Sequence, residues 1–211
     1  MPLAHTVRAL ALSLAVPMLA SCSALSALTD ATTPRNVFEL QAPADLPARA
    51  GRMLARDVII EEPTTSGALQ TDRIMIRPGA LQAQYLPDVR WADPAPVMVQ
   101  TLMLRALDST QAFQYVGRKP LGPSGDFAIV TELIDFHAEQ DPSADSARVV
   151  VRMITRIVRE RDTAIVATRS FAASASASSL DDEALLGAFD AAAGRVISEF
   201  AAWATSSLGA G

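Results

Sequence analysis

The sequence predicts an α+β fold: a mixed, mostly antiparallel sheet with two main helices packed on one face. Three observations point to it. Apolar and polar residues alternate with period two through a succession of short runs, as half-buried strands require. Two longer stretches, 94–107 and 181–206, repeat their apolar residues every three or four positions, as amphipathic helices do. Half of the 211 residues are hydrophobic, enough for a sizeable core and too many for a disordered chain.

Composition narrows the function classes. The length suits one domain or two small ones. The 18 basic and 23 acidic residues give a net charge of −5, which argues against nucleic acid as a partner, because phosphates need a basic patch. A single cysteine excludes an intramolecular disulfide framework and a zinc site built on several thiolates, and no metal is expected.

In chain order, residues 1–21 read as a lipoprotein signal peptide. His5 and Arg8 precede the charge-free run Ala9–Ala20, which is too short for a membrane-spanning helix of about 20 residues. The run ends in Leu19-Ala20-Ser21-Cys22, which resembles the lipobox of bacterial lipoproteins. That resemblance implies cleavage before Cys22, diacylglycerol on its thiol and an N-acyl chain such as palmitate on the new amino terminus. These are covalent lipids, and no dissociable cofactor is expected. Burial of acyl chains is worth about 0.8 kcal/mol per CH₂, so such a terminus is stably anchored. Cleavage removes one arginine and no acid, moving the net charge from −5 to −6. Ser23, rather than Asp, follows the cysteine. By resemblance to the sorting rule of diderm bacteria, this implies the periplasmic face of the outer membrane. Residues 22–34 read as a lipidated tether with a reach of roughly 20 Å; a short helix through Ala24, Leu25, Ala27 and Leu28 is the alternative.

The domain occupies 35–211. Strands are expected at Asn36–Leu40 and Arg56–Glu61, with Thr64–Gly67 as loop. Asp72–Arg77 and Ala80–Tyr85 read as a hairpin turning at Pro78-Gly79. A helix follows, with Asp93 as cap, Pro94 in the first position and Val99, Leu102, Met103, Ala106 and Leu107 as its apolar stripe. Phe113–Val116 is a strand. A long antiparallel meander comes next. Phe127, Ile129, Thr131 and Leu133 share a face, and Phe136 falls out of phase unless a β-bulge near Ile134-Asp135 restores it. Val149, Val151, Met153 and Ile157 share a face of the next strand, whose other face carries Arg148, Arg152 and Arg156. Ile165–Ala175 is the last strand, with Phe171 inward. The closing helix starts at Asp181-Asp182-Glu183, acids suited to the positive end of a helix dipole, and buries Leu185, Phe189, Ala193, Val196, Phe200 and Trp203.

The catalytic inventory is thin, and the chain is not expected to be an enzyme. G-x-S-x-G, H-E-x-x-H and P-loop motifs are all absent from the sequence. His137 is the one histidine beyond the signal peptide, with Asp135 and Glu139 on its nominal strand face; a hydrolase reading would have to rest on it. The Arg148/Arg152/Arg156 row, with heads about 13 Å apart, suits a solvated outer face or docking to an acidic partner or lipid headgroups.

The segment Tyr85-Leu86-Pro87-Asp88-Val89-Arg90-Trp91-Ala92-Asp93-Pro94-Ala95-Pro96 is distinctive. It resembles the Y-x-x-x-x-R-W-A-x-P-P signature of ABC-type transport auxiliary lipoproteins, the family that includes the lipoprotein of the paraquat-inducible MCE transport system. Asp72-Arg73-Ile74, Leu107–Phe113, Gly125–Ile129, Ala167–Phe171 and the closing helix with Trp203 extend the match; Ala95 departs from it by separating the two prolines. The resemblance implies a non-enzymatic accessory of an MCE-type ABC lipid or phospholipid transport system. Its partner would be a periplasmic MCE-domain protein and, through it, an ABC permease and ATPase. A homo-oligomer is compatible with this, since MCE proteins form rings. Tyr85, Arg90 and Trp91 join the arginine row as partner-binding candidates, although a tryptophan ahead of a helix also suits the core. The alternative is a periplasmic lipid-binding carrier with its own apolar pocket between helices and sheet.

Overall fold

The sheet is organised around one long strand, Phe127–Gln140. In chain order the strands are β1 (Asn36–Phe38), β2 (Leu54–Ile60), β3 (Thr64–Thr65), β4 (Arg73–Gly79), β5 (Gln82–Trp91), β6 (Phe113–Gly117), β7 (Phe127–Gln140), β8 (Ala147–Arg159) and β9 (Ala164–Ala177). Among the described residues the helices are α1 (Ala95–Ser109) and α2 (Asp182–Ser207). The computed structural model describes residues 36–48 and 52–209. The lipobox Leu19-Ala20-Ser21-Cys22 and the tether lie outside the described residues. Val37–Gly211 forms one unit.

One edge of β7 pairs with β8 along its whole length, and β8 pairs with β9 in the same antiparallel manner. The other edge is shared by three short parallel strands: β2 opposite Phe127–Ile129, β3 opposite Glu132–Leu133 and β4 opposite Ala138–Glu139. β6 extends the sheet beyond β2 in parallel, and β5 and β1 extend it beyond β4. The sheet is therefore mixed, with its long ladders antiparallel. Thr64-Thr65 is a strand rather than loop, held by donation from Thr65 Oγ1 to the Leu133 carbonyl at 2.7 Å.

The expected bulge is present. The β7–β8 register steps from Leu133↔Met153 to Asp135↔Arg152, leaving Ile134 over. The extra residue returns Phe136 and Ala138 to the core face, where both are buried. The hairpin differs from its expected form. Gly79 pairs with Gln82, so the turn is Ala80-Leu81, and β5 runs on to Trp91. The start of α1 differs as well. Pro94 is the N-cap and Pro96 sits within the first turn; Asp93 is outside the helix and does not cap it. Proline suits these positions because the first amides of a helix have no intrahelical partner.

The predicted stripe of α1 is buried throughout. α2 buries Leu185, Phe189, Ala193, Val196 and Phe200, while Trp203 is half-buried against the Phe171 ring at 5.4 Å. The two helices touch each other and belong to one core with the inward faces of β7 and β8. Three polar side chains inside that core are paired. Gln100 Nε2 donates to the Ile60 carbonyl at 2.8 Å and its Oε1 accepts from Arg118 Nε at 3.0 Å. Thr131 and Thr155 share a hydroxyl hydrogen bond of 3.1 Å.

Candidate functional site

The Tyr85–Trp91 segment lies on β5 and leads into α1. Its role is set by what its side chains touch. Trp91 is 1% exposed and meets Phe136 and Phe189 edge-on, at 5.8 and 5.2 Å between centroids. Phe136 and Phe189 are 5.3 Å apart, so three rings join β5, β7 and α2. The Trp91 amide donates to the Asp72 carbonyl at 2.7 Å, and Ala92 donates to Phe38 at 2.8 Å. Trp91 is a core residue, and its burial corrects the expectation that it could anchor a partner. Tyr85 is half-buried; Arg73 lies over its ring at 4.3 Å, and its hydroxyl donates to the Ala68 carbonyl at 2.9 Å. Arg90 pairs with Asp72 at 3.6 Å, while its Nε is buried without a hydrogen-bond partner. Tyr85 and Arg90 thus grip the connection that brings the chain from β3 to β4.

The arginine row lies on the side of β8 away from the helices, as alternation predicts. Arg148 and Arg152 are exposed and Arg156 is half-buried. Their environments differ. Arg152 holds Asp135 with Nη2 at 2.6 Å and Nε at 2.7 Å, a fork that fixes its direction. Arg148 stands in register opposite Glu139, and Arg156 opposite Val130.

His137 shares this face and is 2% exposed. Its Nδ1 is 3.8 Å from Asp135 Oδ1 and its Nε2 is 3.5 Å from Glu139 Oε1. Both nitrogens lack a hydrogen-bond partner, so these contacts are electrostatic. Burial lowers the imidazole pKa below 6.5; the Arg77 charge lowers it further, and Asp135 and Glu139 oppose the shift. The net shift favours the neutral imidazole. Among the described residues no group of three or more His, Cys, Asp or Glu could hold a metal ion.

The space between helices and sheet, where a lipid carrier would need its cavity, is filled by Trp91, Phe136, Phe171, Phe189, Phe200 and Met103. A trough of about 540 Å³, where 175–178 meets Ala184, Gly187 and Ala191 of α2, opens to solvent and has small side chains. No helix among the described residues is long and apolar enough to cross a membrane.

Sequence had no signal for Gln100 as a buried relay or for the covering of His137. Alternation assigns a residue to a face but not the depth at which it sits on that face.

Known proteins extend these findings. A protein of Bradyrhizobium diazoefficiens, itself uncharacterised, is 28% identical over 79% of this chain, and the chain spans 44% of that protein's length. The crystal structure of XCC0632 from Xanthomonas campestris superposes with a TM-score of 0.72 at 20% identity, covering 82% of this chain and 96% of the other. A second crystal structure, of an uncharacterised protein, gives a TM-score of 0.60 at 12% identity over 83% of this chain and 99% of the other. At these identities the two structures speak to the fold alone. The sequence model for the ABC-type transport auxiliary lipoprotein component matches residues 38–201, nearly the whole domain, and the chain belongs to that family.

Proposed function

We propose that this chain is a non-enzymatic, lipid-anchored accessory of an MCE-type ABC lipid transport system, acting on the periplasmic face of the outer membrane. The carrying observation is the family match across residues 38–201. The lipobox at Cys22 supports the anchor, and Ser23 supports the outer membrane. In this reading the domain docks a periplasmic MCE-domain protein, and the ATPase that drives transport resides in another subunit. The helix-free face of β7 and β8, where Arg148 and Arg152 are exposed, offers the docking surface for acidic groups of that partner. The core is closed around its aromatic rings, which favours docking over carriage of lipid in an internal pocket. Affinity capture of the tagged full chain from envelope extract tests the reading. An MCE-domain protein among the specific partners is expected, and its repeated absence would reject the docking role.

A further inference from the structure

We propose that the cleft beside the start of β7 binds a phosphate group between the guanidinium groups of Arg56, Arg159 and Arg161. The cleft has a volume of about 490 Å³, and these arginines, Ser124 and Asp126 supply its polar lining. Three arginines line this one cleft, although the chain's net charge is −5.

The residues come from distant parts of the sequence and are brought together by the ladders. Phe127 pairs with Arg159 across β7 and β8, and Arg159 pairs with Ala164 across β8 and β9. The loop before β7 is locked to β2 and to the β8–β9 turn. Asp126 donates its amide to the Asp57 carbonyl at 2.9 Å, Asp57 donates its amide to Asp126 Oδ2 at 2.9 Å, and Glu160 donates to the Asp126 carbonyl at 3.1 Å. Gly125 donates to Glu160 Oε2 at 2.6 Å. A Cβ on Gly125 would fall 2.7 Å from Ile59 Cγ1 and 3.3 Å from the Asp57 carbonyl, so this close approach needs glycine.

These bonds turn one oxygen of each of two nearby carboxylates, Asp126 and Glu160, onto backbone amides. The third carboxylate, Asp162, is shared: it accepts from Arg159 Nε at 3.0 Å and lies 3.9 Å from Arg161 Nε. Arg56 is oriented separately. It lies over the Phe127 ring at 5.4 Å and donates to the Leu208 carbonyl just past α2. Arg56 and Arg159 are therefore held in place before any ligand arrives, which reduces the ordering cost of binding. A carboxylate is satisfied by one arginine fork, whereas a phosphate offers oxygens in several directions and suits several donors at once. The Ser124 hydroxyl adds a neutral donor. The phosphate can belong to a phospholipid headgroup or to a soluble phosphate. The inference stands on the cleft and not on the transport reading.

Calorimetric titration of the purified full chain in neutral detergent tests it, with inorganic phosphate and with dihexanoyl-phosphatidylglycerol as probes. Saturable binding of either probe is expected, with at least a tenfold loss of affinity in the Arg159→Gln/Arg161→Gln double variant and none in Arg105→Gln, which lies on α1 and pairs with Glu39. Tighter binding of the lipid identifies a headgroup site; binding of phosphate alone identifies a soluble ligand. If the double variant melts below the parent, Arg161→Gln alone, at a side chain 76% exposed, replaces it with the same expected direction. Absence of saturable binding, or binding unchanged by these substitutions, overturns the assignment.

Discussion

Individual residues divide between holding the fold and meeting solvent, and the division is measurable. Trp91 sits at the junction of β5, β7 and α2, so Trp91→Ala removes a ring on which two others lean. A loss of about 3–5 kcal/mol is expected by chemical denaturation, typical of large aromatic deletions in a core. His137 gives the fold an acid sensitivity. Asp135, Glu139 and Arg77 are the charged groups acting on the ring, and the net effect is a folded-state pKa below 6.5. The folded chain therefore binds fewer protons than the unfolded chain as pH falls through that value. Stability is full above about pH 6.5 and declines below it, until the lower folded-state pKa is passed. Thermal melts across this range should show that decline, and His137→Leu should flatten it; an equal decline in the variant would assign the sensitivity elsewhere. The residue scale is also where the sequence was least legible. The Y-x-x-x-x-R-W pattern stood out, but what Tyr85, Arg90 and Trp91 touch depends on the Ala68–Arg73 connection and on α2, far from them along the chain.

At the scale of elements, the long ladders and both helices were readable because their periodicity extends over many residues. The bulge at Ile134 was readable for the same reason, since a shift in parity between Leu133 and Phe136 has few remedies. Deleting Ile134 places Phe136 two residues after Leu133, in phase without a bulge, so the variant should keep Phe136 inward and unfold cooperatively; loss of cooperative unfolding would show that the bulge does more than restore parity. The strands β2 and β4 were readable, but their parallel pairing with the second edge of β7, and β3 itself, were not. Alternation assigns a residue to a face but carries no partner, and β3 is only two residues long. The buried relay from Ile60 through Gln100 to Arg118 ties α1 to β2 and to the end of β6. Gln100→Ala leaves a carbonyl unsatisfied inside the protein and should cost about 1–3 kcal/mol.

For the whole molecule, the architecture separates two surfaces. The helices cover one side of the β7–β8–β9 meander, and the other side presents arginines and acids in register across strands. Family membership gives this arrangement its setting, an auxiliary lipoprotein of an ABC-type transport system. In the proposed function, a lipid on Cys22 holds the domain at a membrane and the helix-free face meets the partner. Arg148 is the most direct probe, because it is exposed and in register with Glu139 rather than held in a fork. A photo-cross-linking residue placed at position 148 of the full chain, irradiated in intact cells, reports what lies against that face. The account predicts a covalent adduct with an MCE-domain protein that is lost when Cys22 is replaced by Ala. Adducts at 148 that never contain such a protein, while a cross-linker at Gly187 on α2 captures it, would contradict the proposed docking face; its absence from both positions would contradict the docking role itself.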